Sequence, residues 1–166
     1  MSGEPVGRKS RRVVGVDLGE RRIGIALGDL DRGTAAPFST LGRGKHVSED
    51  AAVIARLASE QGADVLVVGL PLDMDGGEGL QATRTREWAE AVAEATGLTL
   101  RFRDERLTSE RAERRIGPAG RGRSGGPPSA AQREAYRARV DREAAALILQ
   151  DEIDAASAEN VERSSQ

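Results

Sequence analysis

Short apolar runs rich in β-branched residues alternate along this chain with longer stretches of helical spacing. Residues 12–18 (RVVGVDL) read as a strand and residues 19–22 (GERR) as a tight turn. Residues 23–28 (IGIALG) form a second strand, so the first two pair as a hairpin, and residues 35–41 supply a third. After a flexible loop over 42–46, Ser48 is placed to cap a helix in which Ala51, Ile54, Ala55, Leu57 and Ala58 recur at helical spacing. That helix runs to Gln61, with Gly62 as its stop. Residues 64–69 (DVLVVG) are almost continuously apolar, the pattern of a buried parallel strand. A Pro/Gly-rich loop over 70–79 leads to a second helix over 80–95. A fifth strand follows over 98–103, where Leu98, Leu100 and Phe102 alternate with polar residues. Thr108 is placed to cap a third helix that stops at Gly117-Pro118, and a long last helix covers 130–153.

This order predicts an α/β protein: a five-stranded mixed sheet in which strands one to three form an antiparallel meander, strands four and five are parallel, and helices cover both faces. One domain spans 12–154. Residues 1–11 read as a disordered basic arm, residues 117–129 as a mobile Gly/Pro/Arg loop, and residues 155–166 as a disordered polar tail.

Composition narrows the chemistry. The chain of 166 residues has no cysteine and one histidine, His46, which excludes disulfides, thiolate metal sites and multi-histidine zinc sites. A hard cation held by carboxylate oxygens remains open. No apolar run approaches the roughly 20 residues needed to span a bilayer, and residues 1–12 lack the apolar stretch of a secretory signal, so the expected location is the cytoplasm. The formal net charge is only −2, yet residues 101–142 carry twelve arginines against six acidic residues. Such a segment can steer a polyanion, or it can simply solvate helix faces. Aromatic residues, at 2%, are too few for a base-stacking single-strand platform.

Three carboxylates stand out. Asp17 ends the first strand just before Gly19, at the sheet edge where ligands bind in open α/β folds; capping the turn is the plainer reading. Glu105 follows Asp104 at the end of the fifth strand. Adjacent carboxylates repel unless a cation is near, and Arg103, Arg106 or a metal could be that cation. Strand alternation sends the two to opposite faces, so only one of them serves as a ligand. Asp141 borders the apolar stripe of the last helix (Ala144, Ala145, Ile148), and an ion pair with Arg137 is the plainer account of it. If the three converge, an oxygen-rich site results that suits Mg²⁺ or Mn²⁺.

Four blocks in order, VVGVDLGERRIGIAL (13–27), VVGLPLDMDGGEG (67–79), FRDERLTS (102–109) and VDREAAALILQ (140–150), resemble the YqgF/RuvX family of bacterial RNase H-like nucleases, related in fold to the RuvC resolvases. The resemblance covers nearly the whole chain. It implies an RNase H-like fold, with Asp17, Glu105 and Asp141 as catalytic and metal-holding residues. It also implies a metal-dependent endonuclease that leaves a 5′-phosphate and a 3′-hydroxyl. Arg21, Gly24 and Gly69-Leu70-Pro71 match motif positions around the cleft. Arg106 and Thr108 match the block after Glu105, where they would contact phosphate or brace the site. Arg121, Arg123 and Arg137 are the further candidates for nucleic-acid contact. The implied substrates are the 5′ end of the 16S rRNA precursor and Holliday junctions, and symmetric cutting of a junction would call for a non-covalent homodimer. Residues 117–139 are longer and richer in Gly and Pro than the family pattern.

Other readings compete. Asp17-x-Gly19 also fits the phosphate loop of sugar kinases and actin-like ATPases, but those need two lobes. A dinucleotide-binding Rossmann fold needs G-x-G-x-x-G after its first strand, which is absent. A non-catalytic nucleic-acid-binding protein of the same fold would have no need of three converging carboxylates.

Overall fold

The side chains of the first hairpin sort by size onto the two faces of the sheet. In the computed structural model, which describes residues 11–165, Val14, Val16, Ile23 and Ile25 point to one face and bury themselves against helices. Alternating with them, Gly15, Asp17, Gly24 and Ala26 lie on the other face, so that face is flat and small. A helix can therefore lie close against it.

The elements are β1 (Arg12–Leu18), β2 (Arg22–Asp29), β3 (Thr34–Gly42), α1 (Val47–Gln61), β4 (Ala63–Leu70), α2 (Leu80–Thr96), β5 (Thr99–Asp104), α3 (Thr108–Ile116) and α4 (Ala130–Ser164). The sheet order is β3-β2-β1-β4-β5, antiparallel through the meander and parallel for β1-β4 and β4-β5. This is the mixed five-stranded arrangement expected from the sequence, an antiparallel meander followed by parallel strands. α1 and α2 cover one face, where Ile54, Leu66, Val68, Trp88 and Val92 form the main core. α4 crosses the other face, packing Ala145, Ile148, Leu149 and Ile153 on Val13, Ala26 and Val67. α3 is held to α4 by Ala112, Val140, Ala144 and Leu147. Among the described residues no helix is long and apolar enough to cross a membrane.

Three sequence expectations need correction. The polar tail after Asp154 is helical: α4 continues to Ser164. Residues 154–164 contain no Gly or Pro to stop it, and Ser157 and Ser164 donate back to the carbonyls of Ile153 and Asn160. Ser48 does not cap α1; His46 holds the cap position, without a side-chain bond, and Glu49 instead accepts from the Lys45 N–H. Thr108 does not cap α3 but is its first residue; Leu107 holds the cap position. The clearest cap was not anticipated: Ser129 and Gln132 form a reciprocal capping box at the start of α4. The expected arm over 1–11 lies almost wholly outside the described residues. Residues 117–129 form an irregular loop with a turn at Gly122–Gly126, and Tyr136 donates its hydroxyl proton to the Gly117 carbonyl.

Candidate active site

Asp17 and Glu105 end β1 and follow β5 at the same edge of the sheet, but β4 runs between those strands. With neighbouring strands about 4.8 Å apart, a side chain from β5 must cross β4 to reach β1. It crosses over Gly69, where a Cβ would stand 2.5 Å from Glu105 Oε2. The Glu105 N–H also donates to the Leu70 carbonyl at 3.2 Å, which anchors the crossing. The two carboxyl groups are hydrogen-bonded to each other.

That contact can exist only if the pair holds a proton. Burial pushes Glu105 up to about 10, assisted by the Asp17 charge, by its bond to Asp17 and by Asp104. Burial also raises Asp17, to about 6; the bond from Glu105 opposes this and the Asp141 charge adds to it. At neutral pH the pair therefore holds one proton between its two carboxyl groups. Asp104, on the opposite face, behaves as strand alternation requires. Its carboxylate accepts Arg106 Nε at 2.8 Å and the Arg106 backbone N–H at 2.9 Å, and Arg106 holds it below the usual carboxylate range.

Asp141 approaches from α4. In the hairpin Asp17 stands opposite Gly24, and a Cβ at Gly24 would run into the Asp141 carbonyl. Gly24 thus lets the α4 backbone settle beside Asp17, close enough for the Asp141 charge to act on it. The Asp141 carboxylate, however, is engaged by Arg22 Nε at 2.6 Å, not by Arg137. A second Arg22 nitrogen reaches Glu134 Oε1 at 3.0 Å. Among the described residues, no three acidic or histidine side chains are gathered around one point where a cation could sit. Asp17 and Glu105 are together, and Asp141 stands beside them, turned to an arginine.

The other sequence candidates divide. Arg21, Arg121, Arg123 and Arg137 are exposed. Arg106 is tied to Asp104 and donates to the Met74 carbonyl at 3.2 Å, so it braces the loop over 71–79. Thr108 is 3% exposed and cannot contact a bound strand, which corrects its placement among the nucleic-acid contacts. Its N–H closes a turn onto the Glu105 carbonyl. Between them Leu107 sits at φ 62, a left-handed conformation that costs a residue with a side chain about 1–2 kcal/mol. Strain of this kind concentrates where a side chain must be aimed, here directly after Glu105.

Two supports were not anticipated from the sequence. Arg22 is one; its neighbour Arg21 drew the attention. The other is Asp50, buried in α1, which accepts Trp88 Nε1 at 3.0 Å and the Gly44 N–H at 2.8 Å. Arg43 lies 3.9 Å from the same carboxylate and donates to the Gly19 carbonyl at 3.2 Å, bracing the turn that follows Asp17. An Asp in the first turn of a helix reads locally as an ordinary helix-start residue, so only its burial reveals this role.

A family model described as "RuvX: Holliday junction resolvase" matches residues 11–155. The chain belongs to this family. A protein of Acidiphilium cryptum bearing the name "Putative pre-16S rRNA nuclease" is 39% identical over 146 residues, 88% of this chain and 85% of its own length. One of Anaeromyxobacter sp. with the same name is 43% identical over 143 residues, 86% of this chain and 96% of its own. Among solved structures, T. thermophilus RuvC in complex with a Holliday junction substrate superposes with a TM-score of 0.49 and 12% identity, covering 89% of this chain and 96% of that one. The nuclease class expected from the four sequence blocks stands: this RuvX-family protein is a hydrolase of phosphodiester bonds.

Proposed function

We propose that this RuvX-family protein is a divalent-metal-dependent endonuclease whose centre is the Asp17–Glu105 pair completed by Asp141. The observation that carries this reading is the contact of two half-buried carboxyl groups across Gly69. Paired, partly desolvated acids cost stability unless they serve a ligand, and an all-oxygen donor set suits Mg²⁺ or Mn²⁺. When bound, such a cation supplies a more acidic water and neutralises charge on the phosphate. Asp17 and Glu105 would hold it, the pair giving up its shared proton to do so, while Asp141 would provide the third carboxylate. Arg106 keeps Asp104 occupied and out of the centre. Exposed Arg21, Arg121, Arg123 and Arg137 would contact the nucleic-acid backbone.

The proposed substrate is the 5′ end of the 16S rRNA precursor, met in the cytoplasm. The name shared by relatives that match over most of their length supports it. The family description favours a second reading, a Holliday junction, whose symmetric cleavage would require two chains. One assay tests both. The protein and Asp17→Asn are offered a single-stranded RNA carrying a precursor leader, a synthetic four-way junction and linear duplex DNA, each with and without Mn²⁺. Metal-dependent cutting of the leader RNA that Asp17→Asn abolishes supports the first reading, and symmetric cutting of the junction alone supports the second. Binding without cleavage would make the protein a non-catalytic binder, and undiminished cutting by Asp17→Asn would move the chemistry elsewhere.

A further inference from the structure

Asp17 and Glu105 already touch, so the carboxylate missing from the centre is Asp141. Its backbone is in place over Gly24; its side chain is not free. Arg22 and Asp141 are 23% and 24% exposed, so water screens their charges only partly. Charge-assisted bonds of this kind are among the stronger side-chain contacts. A guanidinium and a divalent cation are alternatives at one carboxylate: each neutralises the same charge, and the two repel at close range. Arg22 also has somewhere else to go, because Glu134 already binds its second nitrogen and is 61% exposed.

We infer that Arg22 is a positioning residue that holds Asp141 in the metal-free protein and yields it when a divalent cation binds, remaining on Glu134 alone. The inference rests on the proposed metal centre and says how that centre is completed. It makes Arg22 a competitor of the cation, and it explains how three acids can lie near one another without a metal. The planar fork matters, since one guanidinium can bridge Asp141 and Glu134 whereas an ammonium presents a single point charge.

Calorimetric titration of Mg²⁺ and of Mn²⁺ into the full chain tests this, using wild type, Arg22→Gln, Arg22→Lys, Asp141→Asn and the Arg22→Gln/Asp141→Asn pair at one ionic strength. Arg22→Gln is expected to bind the cation roughly two- to fivefold tighter, the range set by a partly exposed ion pair. Arg22→Lys should shift affinity the same way by less, and it carries the test if Arg22→Gln does not fold. The gain should vanish in the Asp141→Asn background, and the Arg22 Nε–H resonance of the wild type should shift on cation addition. Affinity unchanged or weakened by removing Arg22 would overturn the inference, because Arg22 would then pre-orient Asp141. An equal gain without Asp141 would overturn it too, as a general charge effect. A wild type that takes up no cation saturably would sink the metal centre itself, before any variant is compared.

Discussion

The Glu105 side chain passes over Gly69 to meet Asp17, so two carboxyl groups from strands that are not neighbours share a proton at one edge of the sheet. A missing side chain on β4 is as much a part of this centre as the acids themselves.

Gly69→Ala should therefore separate the pair. The added methyl would meet Glu105 Oε2 and Ile148 Cδ1, both at 2.5 Å. Overpacking of this kind costs about 1–3 kcal/mol. Chemical denaturation should show that loss, and calorimetry should show weaker Mg²⁺ binding than in a surface variant of equal stability loss. Unchanged metal affinity would mean that Glu105 reaches Asp17 by another route.

The protonation of the pair has a sign that can be measured. Both acids titrate higher in the folded chain than unfolded, from 3.8 to about 6 for Asp17 and from 4.5 to about 10 for Glu105. The native state then binds more protons than the unfolded state, so their contribution is fully present below the unfolded values and is lost as pH rises. Metal-free stability should fall between about pH 4 and 10 by this route, and Glu105→Gln should flatten the fall and exceed the wild type in stability at pH 8. Metal binding near pH 7.5 should release protons, read from the dependence of calorimetric heat on buffer ionisation. Rising metal-free stability over this range in wild type relative to Glu105→Gln would reverse the sign and refute the shared proton.

Asp50→Ala should destabilise the fold although Asp50 lies outside the centre. It leaves the Trp88 indole N–H and the Gly44 N–H without their acceptor and Arg43 without its carboxylate. Buried partners stranded in this way cost about 2–4 kcal/mol. Trp88 fluorescence during urea unfolding would report it, and a loss below roughly 0.5 kcal/mol would show that water replaces the carboxylate.

Arg121, Arg123 and Arg137 are exposed and form no ion pair among the described residues. If they contact phosphate, replacing all three by Ala in an Asp17→Asn background should weaken oligonucleotide binding. The plot of log affinity against log salt should also flatten by up to about two to three units, just under one per lost contact. An unaltered slope would place the strand on another surface, with exposed Arg21 the next candidate.

Strand positions, the alternation of the fifth strand and the three candidate carboxylates were legible in the sequence because each is written in local spacing. A β-branched run with period two stays a strand wherever it is packed, and a carboxylate at a strand end stays at that end. What only the tertiary structure decided lies between residues far apart in the chain. The plainer local account of Asp141, an ion pair with Arg137 on its own helix, does not hold; its partner is Arg22, 119 residues away, because Gly24 lets α4 lie directly on β2. Thr108 reads as a helix cap and is buried beneath the Glu105 turn, and Asp50 reads as a helix-start residue and is the acceptor that binds α2 to the loop before α1. Local pattern determines which face a side chain takes. Which opposing group meets it there depends on the packing of whole elements, and a salt bridge or a shared proton is a property of that meeting.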